Sequence, residues 1–199
     1  MKNRKGHLLI LTGLLLIAAA LFLVAFNLYE EQKAALQSSQ VLSEMPDTDP
    51  GSTVPDYVID PNRDMPTVKI DGRDYIGVLA IPDLELVLPV MSQWSYPGLR
   101  IAPCRYTGSA YLDNLVIAGH NYPRHFGHLK DLSGGETVTF TDADGNAFLY
   151  QVVQVETLMP TDVEEMENSD WDLTLFTCTI GGSYRVTVRC ERITENTGM

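Results

Sequence analysis

Apolar residues are distributed along this chain in two different ways. Residues 8–28 are almost all apolar, broken only by Thr12, Gly13 and Asn27, and no charge occurs between Lys5 and Glu30. At about 1.5 Å per residue this helix reaches roughly 30 Å, the thickness of a bilayer core. Its length and its Phe26-Asn27-Leu28-Tyr29 end favour an uncleaved anchor over a signal peptide, which has a shorter apolar core and a small-residue cleavage site. Beyond Thr67 the apolar positions come instead in short, β-branched and aromatic runs separated by turn residues. Val68-Lys69-Ile70, residues 75–81 and residues 84–90 are predicted strands flanking Asp71-Gly72 and Pro82-Asp83. Residues 92–114 read as irregular with room for a short helix, and residues 115–119 as a buried strand that delivers His120. Residues 137–141 and 147–157 alternate polar and apolar around Asp142-Ala143-Asp144-Gly145, a hairpin signal. The last pair, residues 174–178 and 184–192, flanks Gly181-Gly182.

About eight short strands, few helices and no alternation of strand and helix predict a mainly β, eight-stranded barrel with short helices, preceded by one transmembrane helix. Residues 30–45 are compatible with a few more helical turns, while Pro46, Pro50, Pro55, Pro61 and Pro66 mark an extended spacer. The expected organisation is a cytoplasmic N-terminus over 1–7, an anchor over 8–28, an extracellular stalk over 29–66 and a folded domain over 67–199. Lys2, Arg4 and Lys5 before the anchor, and Glu30-Glu31 after it, place the N-terminus inside and the domain outside.

Charge narrows the partners. The formal net charge is −12, and the basic residues before the anchor leave the body more acidic still, so a phosphate backbone is repelled and nucleic-acid binding is not expected. The three cysteines, Cys104, Cys178 and Cys190, are too few for a disulfide framework, and no CxxC pair supports a zinc ribbon. Cys104 and Cys190 are expected as two small buried residues rather than as a disulfide.

Candidate chemistry gathers at strand ends. Cys178 closes an apolar run, His120 follows another, and Arg185 lies across the Gly181-Gly182 turn from Cys178. Arg185, Thr187 and Arg189 share a face by the strand's period of two, and Cys190 faces the other way. A lone cysteine is more often a structural thiol. The combination of thiol, imidazole and guanidinium points to nucleophilic catalysis.

Ala118-Gly119-His120-Asn121 followed by Phe126-Gly127-His128-Leu129, and Thr174-Leu175-Phe176-Thr177-Cys178 with Arg185 downstream, resemble the sortases, cysteine transpeptidases that attach proteins to the Gram-positive cell surface. Residues 75–82 and Leu88-Pro89-Val90 look like that family's opening strands, so the resemblance covers about residues 75–192. It implies a sortase-type barrel in which Cys178 is the nucleophile, His120 the general acid and base, and Arg185 the cation on substrate and oxyanion, with Arg189 an alternative of the same parity. It also implies cleavage of an LPxTG-like C-terminal sorting signal on secreted proteins through a thioacyl enzyme, and transfer to a peptidoglycan-precursor or other amine at the outer face of the membrane. No cofactor and no metal are expected. Calcium at the acidic segment of Asp162, Glu164, Glu165 and Glu167 is the weaker alternative to a solvated face. Pilin polymerisation is disfavoured, because no C-terminal membrane segment follows and Asp60-Pro61 precedes Asn62 rather than an aromatic residue. Residues 160–170 are short for the helical insertion of class B members, although the opening region is reminiscent of that class.

At ordinary pKa values of about 8.5 for Cys and 6.5 for His, the thiolate–imidazolium form is about 100-fold rarer than the neutral pair, and a nearby Arg favours the thiolate while disfavouring the imidazolium. Two rivals are a metal hydrolase built on His120, His125 and His128, and a non-catalytic, membrane-tethered β-barrel binding module. Pro123 between the first two histidines and the lack of a carboxylate motif weaken the first.

Overall fold

The computed structural model describes residues 2–48, 54–167 and 170–193. Pro50 of the expected stalk and residues 194–199 of the expected domain lie outside them. A helix, α1 (Lys2–Glu44), runs unbroken from the apolar segment into the polar one. Its stretch from Gly6 is long and apolar enough to cross a membrane, and large side chains such as Leu15 and Phe22 are exposed. The hydroxyl of Thr12 in this stretch donates back to the Leu8 carbonyl at 2.9 Å, which satisfies it inside the helix. Past Glu30 the helix changes character. Ala34, Ser38 and Val41, spaced to share one face, are buried to 1%, 3% and 4% exposure, and α1 packs against the sheet. The chain that follows α1 is not a free spacer either. The Tyr57 ring in the short helix α2 (Asp56–Ile59) stacks on Tyr111 at 4.7 Å, and Met65 is buried in the core.

The described residues form nine strands: β1 (Val68–Ile70), β2 (Arg73–Ile81), β3 (Leu86–Met91), β4 (Cys104–Thr107), β5 (Leu115–Gly119), β6 (Thr137–Asp142), β7 (Ala147–Leu158), β8 (Leu173–Cys178) and β9 (Arg185–Arg192). Their order is β1-β2-β3-β4-β5-β8-β9-β7-β6, and β6 pairs back onto β2, closing a barrel of eight with β1 attached at its edge. Closure needs backbone contact that a side chain would block. Gly77, at φ 155°, sits at the β2 irregularity where a Cβ would run into the Thr141 carbonyl.

The barrel's eight strands differ in membership from the eight read in the sequence. β4 was not recognised, because Cys104-Arg105-Tyr106-Thr107 has no alternation of its own and is held by its neighbours, through Met91↔Cys104 on β3 and the β5 ladder. β1 reads as a strand of the barrel, but among the described residues it pairs with β2 alone. The interior follows the period of two: Leu79 and Ile81, Leu115 and Ile117, Phe148 and Tyr150, Leu173 and Leu175, Val188 and Cys190 all lie in one core. The helix between β3 and β4 is α3 (Tyr96–Leu99), started by the Ser95 hydroxyl accepting from the Gly98 N–H at 3.0 Å. The acidic connection before β8 carries α4 (Val163–Glu167), whose Met166 is buried.

Candidate active site

Cys178 and His120 reach the same rim because the strands that carry them are parallel neighbours. β5 and β8 pair in register from Leu115↔Leu173 to Gly119↔Thr177, so the next residue beyond that last pair is His120 on one chain and Cys178 on the other. With Leu115, Ile117, Leu173 and Leu175 turned into the barrel, alternation puts Cys178 on the outer face beside Phe176 and Ala118. Thr177 ties the two ends together: its buried hydroxyl donates to the Gly119 carbonyl at 2.8 Å. Gly119 is itself obligatory, since a Cβ there would collide with the Phe126 ring.

All three cysteines are free, but only Cys178 is exposed. Cys104 and Cys190 are fully buried, and burial pushes their thiols up to about 11 and about 12 respectively. They are inert packing residues.

Two of the three arginines of β9, Arg185 and Arg189, part company. Cys178 pairs with Arg185 across the hairpin, and the Arg185 guanidinium donates to the Gly182 and Tyr184 carbonyls, both at 3.1 Å, within its own exposed turn. Arg189 is 2% exposed: Nε donates to Glu156 Oε1 at 2.7 Å, Nη1 to Thr174 Oγ1 at 3.0 Å and Nη2 to the Glu165 carbonyl at 2.8 Å. Arg189 therefore fastens α4 and β7 to β8, and Arg185 is the guanidinium at the rim beside Cys178.

His120 is half-buried and its ring stacks on Tyr122 at 4.4 Å between centroids and 17° between planes. Burial, and secondarily the Arg100 charge, lower its pKa below the ordinary imidazole value. Both causes favour the neutral imidazole. The three histidines of the metal reading have three separate environments: His125 is fully buried, and exposed His128 contacts Asp131 at 2.8 Å through Nδ1. Among the described residues no group of three His, Cys, Asp or Glu side chains is placed to hold a metal.

Two concavities flank this rim. One, of about 270 Å³, is walled by Trp94, Tyr106, Val163, Met166 and Phe176 and floored at one end by Cys178 and Arg185. Its aromatic rings meet edge to face, Tyr106 with Phe176 at 5.3 Å and Trp94 with Tyr106 at 6.1 Å. The other, of about 530 Å³, lies between α1 and the His120 loop, with Glu30, Glu31 and Arg100 on its walls. The acidic segment is the roof of the first groove. Asp162 there accepts the Met159 N–H at 2.9 Å, and the Glu165 carbonyl is held by Arg189. No described residue of 54–66 lines that groove. Tyr57 packs near Phe148 at one end of β7, whereas Arg185 pairs with Leu158 at the other.

The sequence reading missed the Thr177 latch, the Arg189 clamp, Tyr122 and Ser38. The two threonines stand in the motif itself, but which carbonyl or guanidinium they meet depends on strand pairing that no local pattern encodes. Ser38 and Tyr122 carry no signal in the sequence.

Residues 79–193 match the family model described as a sortase domain. Among solved structures, sortase C1 of Streptococcus suis is 28% identical over 62% of this chain and 75% of that chain, with a TM-score of 0.53. Sortase C1 of Streptococcus agalactiae is 25% identical over 73% and 79%, with a TM-score of 0.56. Sortase C-3 of Streptococcus pneumoniae is 27% identical over 83% of each chain, with a TM-score of 0.53. No curated protein matches. The family match spans more than half of the chain and falls on the barrel that brings a thiol and an imidazole to one rim; this protein belongs to the sortase family of cysteine transpeptidases.

Proposed function

We propose that this enzyme cleaves an LPxTG-like sorting signal on secreted proteins and transfers the acyl group to a cell-wall amine, with Cys178 as nucleophile, His120 as general acid and base, and Arg185 as the oxyanion and substrate cation. The observation that carries this reading is the placement of His120 and Cys178 one step beyond the Gly119↔Thr177 pair of parallel strands, with Arg185 opposite Cys178. The apolar groove beside Cys178 suits the side chains of an extended peptide.

The Cys178 thiolate attacks the scissile carbonyl, and Arg185 stabilises the tetrahedral oxyanion. Imidazolium at His120 protonates the departing amine, which leaves a thioacyl enzyme. Neutral His120 then takes a proton from the incoming amine as its nitrogen attacks the thioester, and the thiolate leaves. The lowered His120 pKa suits the second half, where a neutral base is required, and makes the ion-paired form of the first half scarcer. The reaction needs no metal in this scheme, and chelation or added calcium is expected to leave turnover unchanged.

In this reading the apolar helix anchors the enzyme with its N-terminus inside and the barrel outside, where secreted substrates and peptidoglycan precursors meet it. The test is a screen of sorting-signal peptides and several amines with mass-spectrometric identification of products. Cys178→Ala and His120→Ala are each expected to reduce transfer to background. Retained transfer in either would sink the assignment.

A further inference from the structure

The His120 ring makes no hydrogen bond to a described residue, so its orientation rests on what holds Tyr122. Tyr122 contacts two imidazoles: it stacks on His120 at 4.4 Å between centroids, and the His125 ring is at 5.6 Å, tilted by 56°. The loop that carries all three is closed on itself. The N–H of His125 donates to the Tyr122 carbonyl at 2.8 Å, that of Gly127 to the same carbonyl at 3.0 Å, and that of Phe126 to the His120 carbonyl at 3.0 Å.

This loop is fastened from outside by α1. Ser38 is 3% exposed, and its hydroxyl donates to the Ile101 carbonyl at 2.6 Å. That bond commits the single hydroxyl proton, so at 3.3 Å the Ser38 oxygen accepts the Nε2–H of His125. His125 is thereby fixed as the Nε2–H tautomer. Its Nδ1 lone pair is buried without a partner, so Ser38 is the only hydrogen-bond partner of this imidazole among the described residues. Val41, on the same face as Ser38, seats the helix in the apolar patch that includes Ile101, and Ala34 is buried on that face too.

We propose that the extramembrane part of α1 is a positioning element of the active site, in which Ser38 holds His125, His125 and the closed loop hold Tyr122, and Tyr122 sets the plane of His120. The anchor helix thus has a second task besides tethering, and a catalytic domain without residues 30–44 has lost the outer end of this chain of contacts. The proposal rests on His120 being the proton-transfer group.

The full chain in detergent micelles is assayed for amine transfer, with kcat and the KM of the sorting peptide measured separately. Ser38→Ala and Tyr122→Ala are each expected to lower kcat roughly tenfold with KM within about twofold, since misplacing a catalytic group costs rate rather than donor binding. Tyr122→Phe keeps the ring and is expected to keep kcat. The Ser38→Ala/Tyr122→Ala double variant is expected to fall no further than the worse single variant, because both interrupt one chain. Multiplying losses in the double variant, or Ser38→Ala turning over at the wild-type rate, would overturn the proposal. Should Ser38→Ala fail to fold, Tyr122 decides alone, and equal rates for Tyr122→Ala and Tyr122→Phe would overturn it. His120→Ala separates the levels: transfer without His120 removes the underlying reading of the site, whereas an inactive His120→Ala beside a fully active Ser38→Ala removes only the positioning role.

Discussion

The β8–β9 hairpin holds two cross-strand pairs of similar composition and opposite character. At the rim, exposed Cys178 faces Arg185, whose guanidinium is held, among the described residues, by carbonyls of its own turn. Four residues deeper, buried Thr174 faces Arg189, whose donors are taken up by Glu156, Thr174 and the Glu165 carbonyl. Residue type and strand parity are the same for the two arginines. The difference is what covers them: α4 and β7 enclose the deeper one and leave the outer one beside the groove. A guanidinium enclosed by fixed acceptors is a fastener, and one left at an open rim is free to meet a substrate.

Exchanging the two sites' roles by mutation is the sharpest way to break this comparison. Arg185→Met is expected to lower transfer 10²- to 10³-fold, about 3–4 kcal/mol of transition-state stabilisation, while changing the unfolding free energy by no more than about 0.5 kcal/mol. Arg189→Met should do the reverse. Glu156 keeps 28% of its side chain exposed and can turn to water, so the loss of stability is about 2–3 kcal/mol rather than the full cost of a buried orphan charge. Denaturant unfolding beside steady-state kinetics checks both, and equal effects of the two variants on stability would erase the distinction.

The two histidines of the loop carry the same contrast into pH. His125 is held neutral in the fold, its pKa lowered from 6.5 to about 4 by burial and then by His120. The unfolded chain takes up a proton that the folded one refuses, so this contribution to stability is complete above the unfolded pKa of 6.5 and is lost as pH falls toward about 4. The loss amounts to roughly 3 kcal/mol. Melting curves from pH 7 to pH 4 should show it, and His125→Gln should flatten the dependence.

Thr177→Val tests the latch between the rim strands. It leaves the Gly119 carbonyl without its partner and should cost about 1–2 kcal/mol of stability, together with a fall in kcat as the His120 and Cys178 strand ends loosen. Thr177→Ser should retain both. The smallest effect is expected for Arg100→Ala. Removing a cation near the imidazole raises the His120 pKa, so the acid limb of the transfer rate moves to higher pH while stability stays within a few tenths of a kcal/mol. An NMR titration of His120 that did not move would show the Arg100 charge to be screened.

Much of the fold could be read from local pattern because barrel interiors obey strict alternation. The Val138 and Phe140 face of β6, and the Leu173 and Leu175 face of β8, turn inward as their spacing predicts. β4 escaped notice because it has neighbours rather than a pattern, and β1 reads as a strand of the barrel although among the described residues β2 alone receives it. At the site, Cys178, His120 and Arg185 were legible as residues at strand ends. Parity alone leaves Arg185 and Arg189 equivalent, and it is the resemblance to the sortases that prefers Arg185; that Arg189 is roofed by α4 and β7 is a fact of the tertiary structure.

By itself the sequence determined a long apolar helix, a chain of short alternating strands, a thiol and an imidazole each at the end of an apolar run, and a guanidinium across a glycine turn from the thiol. Those follow from local hydrophobic period and residue chemistry. Only the tertiary structure decided that β5 and β8 lie parallel so that His120 and Cys178 end together, that Arg189 is consumed as a fastener, and that the polar half of α1 docks through Ser38 onto the loop carrying His120. Each depends on contacts between residues far apart in the chain, where burial and hydrogen-bond saturation are set by the neighbours rather than by the residue's own surroundings in sequence.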